Sequence, residues 1–150
     1  MVLKPSEIRG IILEEHCELR RRLAGIEALL DGLTRGDSAA RRDLQKSFDT
    51  LCELFVTHIA HEEAILRPIL ADIDNWGPVR IELMDTEHTE QRQRVAELAR
   101  LSPDADPGAY VRSVRDFVTD LRADMDGEER ECLSPDVLRD DTTSIDAFGG

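Results

Sequence analysis

The sequence predicts an all-α fold, an up-down-up-down four-helix bundle with a metal site in its core, and three observations predict it. Apolar residues recur at three- and four-residue spacing along four long stretches, the signature of helices with one buried face. Short segments rich in Gly, Pro, Asp and Asn separate those stretches, and short connections favour antiparallel neighbours. Residues able to ligate a cation, three histidines among them, fall on the apolar stripes themselves. Composition agrees, with 41% hydrophobic and 34% charged residues but only one Trp, one Tyr and four Phe in 150 residues, poor material for strands. A chain of this length makes one domain with a proper core.

The first helix is expected from about Ser6, an N-cap after Pro5, to about Leu30. Ile8, Ile12, Leu19, Leu23, Ile26 and Leu30 form its stripe, and His16 falls on it, four after Ile12 and three before Leu19. Gly32 or Gly36 suits a left-handed cap at its end.

The second helix is expected from Asp37 or Ser38 to about Ala71. Phe48, Leu51, Phe55, His58, Glu62, Ile65 and Ile69 step by 3, 4, 3, 4, 3 and 4, a heptad-like seam. A carboxylate in such a seam is costly unless it is paired or bound to a cation. Pro68 is expected to kink the helix or end it early.

Asp74 to Pro78 reads as a turn, with Pro78 suited to a first helical position. The third helix then runs to about Leu101, with Ile81, Met84, His88, Val95 and Leu98 inward. After a loop over Ser102 to Gly108 comes the fourth helix, with Val114, Val118, Leu121, Met125, Glu129 and Cys132 on one stripe. The bundle is expected to occupy residues 1–135, followed by an acidic flexible tail over 136–150.

The stretch Thr57 to Leu70 reappears in degraded form over Asp124 to Val137, aligning Glu62, Leu66 and Pro68 with Glu129, Leu133 and Pro135. In the first copy His58 and Glu62 stand one helical turn apart, so imidazole and carboxylate converge. A lone histidine on an apolar face is more often a packed core residue than a ligand. Here each of four helices carries a candidate ligand on its stripe, and antiparallel packing brings these levels together. Imidazole nitrogens with carboxylate oxygens suit iron, zinc or manganese, and bridging carboxylates suit a pair of ions.

One His in the first helix (His16), His-x-x-x-Glu in the second (His58, Glu62) followed by Leu66-Arg67-Pro68, and one His in the third (His88) resemble the haemerythrin-like, cation-binding HHE domains. The resemblance covers about Ser6 to Pro135. It implies a non-haem centre of two irons in a four-helix bundle. Glutamates, Glu62 and Glu129 here, bridge the irons, histidines complete each coordination sphere, and a vacant position meets dioxygen.

The fourth helix departs from the family pattern, because Met125 stands where the last histidine belongs. Slipping the alignment by one residue pairs Asp124 with Glu128, at the cost of the Pro spacing and of Met125 on the seam, so the register through Glu129 is preferred. Met is a poor ligand for a hard ferric ion and reads as core filler. The position it leaves is open to water or to Asp126, three before Glu129, or the centre holds a single iron. His61, Glu63 and Glu128 border the same face and read as supporting or solvated charges, where a carboxylate can substitute as ligand.

The formal charge of −13 argues against nucleic acid and anionic membranes as partners. No apolar run approaches the roughly 20 residues that span a bilayer, and the first residues lack a signal-peptide layout, so the cytoplasm is expected. Cys17, Cys52 and Cys132 lack metal or redox spacing and read as buried small apolar residues. The leading functional expectation is a protein that binds or senses oxygen, peroxide, nitric oxide or iron itself. A non-haem iron oxidase or peroxidase-like enzyme and a metal-free interaction module are the alternatives.

Overall fold

The computed structural model describes residues 2–37 and 39–141. Within them four helical rods form the bundle, and no strand occurs among the described residues. The first rod is α1 (Pro5–Thr34). The second is continuous through α2 (Ala39–His61), a π-helical turn (Glu62–Leu66) and α3 (Arg67–Ile73). The third is α4 (Gly77–Ala99) and the fourth α5 (Pro107–Glu131).

Local chemistry sets the ends. Helix α1 is capped two residues earlier than expected: Lys4 is the N-cap and Pro5 takes the first turn, where a missing N–H costs nothing. Ser6 does not cap the helix. Its amide and hydroxyl donate instead to the Asp140 carboxylate, at 2.9 and 2.7 Å. Gly36 closes α1 at φ 88°, the left-handed conformation that glycine adopts freely. Ser38, one of two expected starts for the second rod, lies outside the described residues. Gly77 opens α4 so close to the end of α3 that a Cβ there would stand 2.4 Å from the Ala71 carbonyl oxygen. The Asp106 side chain caps α5 by accepting from the Ala109 amide at 3.0 Å.

Two apolar clusters fill the interior. One gathers the late part of α1 (Leu19, Leu23, Ile26, Leu30), the early part of α2 (Leu44, Phe48, Leu51), Leu98 near the end of α4 and the early part of α5 (Tyr110, Val114). The other gathers Ile8 and Ile12 with Leu66 and Leu70, Met84 and Leu133. Early α1 thus meets the late second rod, early α4 and the end of α5, which is the up-down-up-down arrangement. In the first cluster Phe117 meets Phe48 and Phe55 edge-to-face, with centroids 5.6 and 5.9 Å apart.

The seam of the second rod slips by one residue. Sequence periodicity places Ile65 and Ile69 inward, yet Leu66 and Leu70 are the fully buried ones. The π-helical turn is the reason, since its wider loop absorbs an extra residue and rotates the next turns of the rod. Pro68 comes just after it without ending the rod, and the widened backbone ahead of the proline relieves the clash it makes one turn back.

Within the segment expected as a tail, residues 136–141 contact the bundle. Leu138 is 2% exposed and joins the second apolar cluster with Val137 packed beside it, while Asp140 binds Ser6. The rest of that segment, 142–150, lies outside the described residues. Cys17 is exposed rather than buried, and Cys52 and Cys132 are half-buried. No helix among the described residues is long and apolar enough to cross a membrane.

Candidate metal centre

Between the two apolar clusters runs a polar belt. His16 interrupts the α1 stripe between Ile12 and Leu19, His58 and Glu62 interrupt the second rod, and His88 interrupts α4 after Met84. All four are buried. Nothing in elementary packing favours such a belt, because unpaired polar groups in an apolar interior are costly. Their mutual contacts are what make it tolerable.

The centre is organised on Glu62. Its Oε1 lies 2.6 Å from His58 Nε2 and 3.5 Å from His16 Nε2, and its Oε2 lies 2.9 Å from His88 Nε2. The two oxygens of one carboxylate thus face different histidines. From α5, Glu128 Oε1 comes within 3.1 Å of His16 Nε2. One donor atom each from His16, His58, Glu62 and Glu128 lie within 4.8 Å of one another, a cluster able to hold a metal ion.

The donor set fits a cation on two further counts. Ligands about 2.0–2.2 Å from a shared ion stand about 3 Å apart, and the contacts at 2.6, 3.1 and 3.5 Å bracket that spacing. Buried Glu62 Oε1 and Glu128 Oε1 also have no hydrogen-bond partner, so the short contacts to imidazole are not aligned as hydrogen bonds. Lone pairs converging in this way are stabilised by a positive charge between them.

Behind the inward Nε2 atoms, His58 and His88 turn Nδ1 to a carboxylate that is itself held, while His16 Nδ1 has a carboxylate nearby but no hydrogen-bond partner. His58 Nδ1 lies 2.8 Å from Glu15, whose other oxygen binds His61 Nδ1. His88 Nδ1 lies 3.1 Å from Glu63, which Arg92 clamps with two bonds at 2.6 and 2.9 Å. His16 Nδ1 stands 3.6 Å from Glu129, which Arg20 clamps in turn. A carboxylate behind the imidazole fixes tautomer and ring orientation and raises ligand basicity.

This crowding sets the electrostatics. Burial pulls the His16 imidazole down, but Glu128 and Glu62 outweigh it and carry it up to about 9. Burial likewise opposes charge on His58 and His88, yet Glu62 holds both above the ordinary imidazole value. Burial disfavours ionised Glu62 too, but His16, His58 and His88 hold it well below the usual carboxylate range. Glu128, buried beside the Glu62 charge, is pushed up to about 8. The centre therefore stores protons that a cation can displace.

The structure brings His16, His58, Glu62 and His88 together as the sequence pattern anticipates. On α5 the geometry differs from the expected register: Glu128 enters the cluster, while Glu129 turns to Arg20. Asp126 is exposed and shares the same Arg20, at 2.7 Å. His61 sits at the rim on Glu15. Met125 is 3% exposed and lines the cavity against the cluster. Helical spacing explains the switch, because Leu121, Met125 and Glu128 continue a four-three seam. Leu133 lies beyond the end of α5, so its spacing to the inward glutamate is not a helical one, and the Glu-x-x-x-Leu alignment selects Glu129, the neighbour of the glutamate that enters the cluster. Glu15, Arg20 and Arg92 carry no spacing signal of their own. Glu15 sits beside His16 in sequence but orients His58 on another rod, a contact only the fold creates.

The cavity against the cluster is about 10 Å³ and is walled by Phe55, Gln91, Leu121 and Met125 together with the polar residues. That is room for about one water-sized body.

A buried His/Glu cluster shared by four antiparallel rods defines a metal-binding helical bundle. The family model described as the hemerythrin HHE cation binding domain matches residues 8–134, and the chain belongs to that family. Comparisons with curated proteins and with solved structures returned no match.

Proposed function

We propose that this protein is a non-haem iron protein whose buried centre binds or senses dioxygen or a related small ligand such as peroxide or nitric oxide, or iron itself. The observation that carries the reading is the convergence of His16 Nε2, His58 Nε2, Glu62 Oε1 and Glu128 Oε1, with His58 and His88 oriented from behind by Glu15 and Glu63. In this reading His16, His58, Glu62 and Glu128 hold one cation. Glu62 Oε2 with His88 offers a second position, so that Glu62 bridges a pair. This second position would be held by fewer residues than the first, and Met125, beside the cluster, offers no hard ligand. Mixed imidazole and carboxylate donors suit iron and also admit zinc or manganese. Iron with an open coordination position supplies the capacity to take up a small oxygen-type ligand.

The surrounding residues shape what enters. A cavity of about 10 Å³, room for about one water-sized body, excludes an organic substrate. That argues for a binding or sensing role over an oxidase acting on larger molecules. Peroxide turnover is the enzymatic alternative.

Anaerobic iron loading, followed by elemental analysis and visible absorption, tests the proposal. We expect about one to two irons per chain by analogy with bundle sites, with a ferric absorption that changes when a small ligand is added. A folded sample that retains no transition metal would overturn it in favour of a metal-free interaction module.

A further inference from the structure

Helices α4 and α5 do not pack closely against each other as α1 packs on α2. Where they face, polar side chains span the gap: Gln91 donates to Asp124 at 3.1 Å and Arg94 pairs with Asp120. Beside this bridge lies a cleft of about 190 Å³, open to the surface. Its charged wall residues are Arg80 and Glu87 from α4 and Asp124, Glu128 and Glu131 from α5. Glu87, Asp124 and Glu128 also line the 10 Å³ cavity against the cluster. The same three carboxylates thus form the neck between outer cleft and buried centre.

Two further features point inward along this line. Buried Glu62, 2% exposed, turns an unpartnered Oε1 into the inner cavity, and Glu128 Oε1 is likewise unpartnered at the neck. On the cleft wall stands Gly127, in the interior of α5. A Cβ there would meet nothing closer than the Arg130 guanidinium at 3.9 Å, so no packing contact requires glycine. A helix-interior glycine costs roughly 0.5–1 kcal/mol relative to alanine. Together with Ala123 one turn earlier it keeps the cleft wide.

We infer that the α4–α5 cleft is the route by which a divalent cation enters the centre, with Glu87, Asp124 and Glu131 drawing it in and Gly127 keeping the passage open. This rests on the metal-binding reading above. The outer cleft takes a hydrated ion. The cavity beyond has room for about one water-sized body, so water must be shed at the neck, where carboxylate oxygens replace it. Acidic side chains outnumber the one base on the cleft wall, Arg80, which is itself paired with Asp74 at 2.6 Å, and a predominantly acidic cleft raises the local concentration and entry rate of a cation by about tenfold or more.

Stopped-flow uptake of Co2+ by the full chain, followed by its visible absorption, tests the route. Gly127→Leu narrows the passage without a buried clash, and Glu87→Gln with Asp124→Asn removes its charge. Glu53→Lys, on the exposed face of α2, changes net charge elsewhere. Both cleft variants should load about tenfold more slowly than the parent but reach the same final stoichiometry, and Glu53→Lys should load at nearly the parent rate. Added salt should shrink the deficit of the charge variant and leave that of Gly127→Leu. Cleft variants that load at the parent rate overturn the route. So does a loss of final stoichiometry in the double variant, which makes Glu87 and Asp124 ligands instead. A parent that takes up no Co2+ fails one step earlier, at the metal-binding reading itself.

Discussion

On α5, adjacent carboxylates meet opposite environments. Glu128 turns inward to His16 Nε2 and is pushed up to about 8 by burial beside Glu62. Burial opposes charge on Glu129 as well, but Arg20 outweighs it and keeps that carboxyl below its usual range. If Glu128 is the ligand, Glu128→Gln should weaken cation affinity by about 100-fold. Glu129→Gln, acting only through the orientation of His16, should cost about tenfold or less. Isothermal titration separates the two, and the reverse order would return the site to the Glu129 register. Met125 is the complementary case. It lines the cavity beside His16, His58, Glu62 and Glu128 without a hard donor atom, so Met125→His adds an imidazole facing the cluster. The variant should bind a further ion or bind more tightly, at a small cost in packing. Unchanged stoichiometry and affinity would mean that residue 125 does not point at the cluster.

At the scale of elements, the last described segment behaves as part of the bundle. Leu138 closes the apolar cluster beneath Ile8 and Ile12, and Asp140 ties down the first turn of α1. Leu138→Ala should therefore cost about 2–5 kcal/mol, as for other buried leucines; a loose tail would make it neutral in a urea melt. The sequence pattern anticipates the four rods, the ends near Gly36 and Pro78, and three histidines with Glu62 on the inward stripes, because helical periodicity and turn residues are local properties. What it does not disclose is non-local or depends on departures from ideal helix. The π-helical turn shifts the seam from Ile65 and Ile69 to Leu66 and Leu70. The end of α5 breaks the spacing that relates Leu133 to its glutamate. Glu15 reaches His58 from another rod, and Asp140 reaches α1 from the far end of the chain. Composition alone could not separate residues 136–141, which fold back, from an acidic tail.

For the whole molecule, protons and a cation compete for one buried centre. Without metal, the raised imidazole of His16 contributes stability that is complete below its unfolded value near 6.5 and is lost as pH rises through about 9. The raised carboxyl of Glu128 acts in the same direction, losing its proton through about 8 and leaving a second buried negative charge beside Glu62. A bound cation replaces those protons. The melting-temperature gap between metal-loaded and metal-free protein should widen as pH rises from about 6.5 to about 9. A gap that stays constant or narrows over that range would show that His16 and Glu128 do not exchange protons for metal.

The central claim is that a cation sits among His16, His58, Glu62 and Glu128. Anomalous diffraction at the iron edge, from crystals of iron-loaded protein, addresses it most directly. The account predicts a peak about 2.0–2.3 Å from His16 Nε2, His58 Nε2 and a carboxylate oxygen of both Glu62 and Glu128, the ordinary range for such ligands. A loaded crystal with no peak inside the bundle, or with Glu129 in place of Glu128 at the ion, would contradict it.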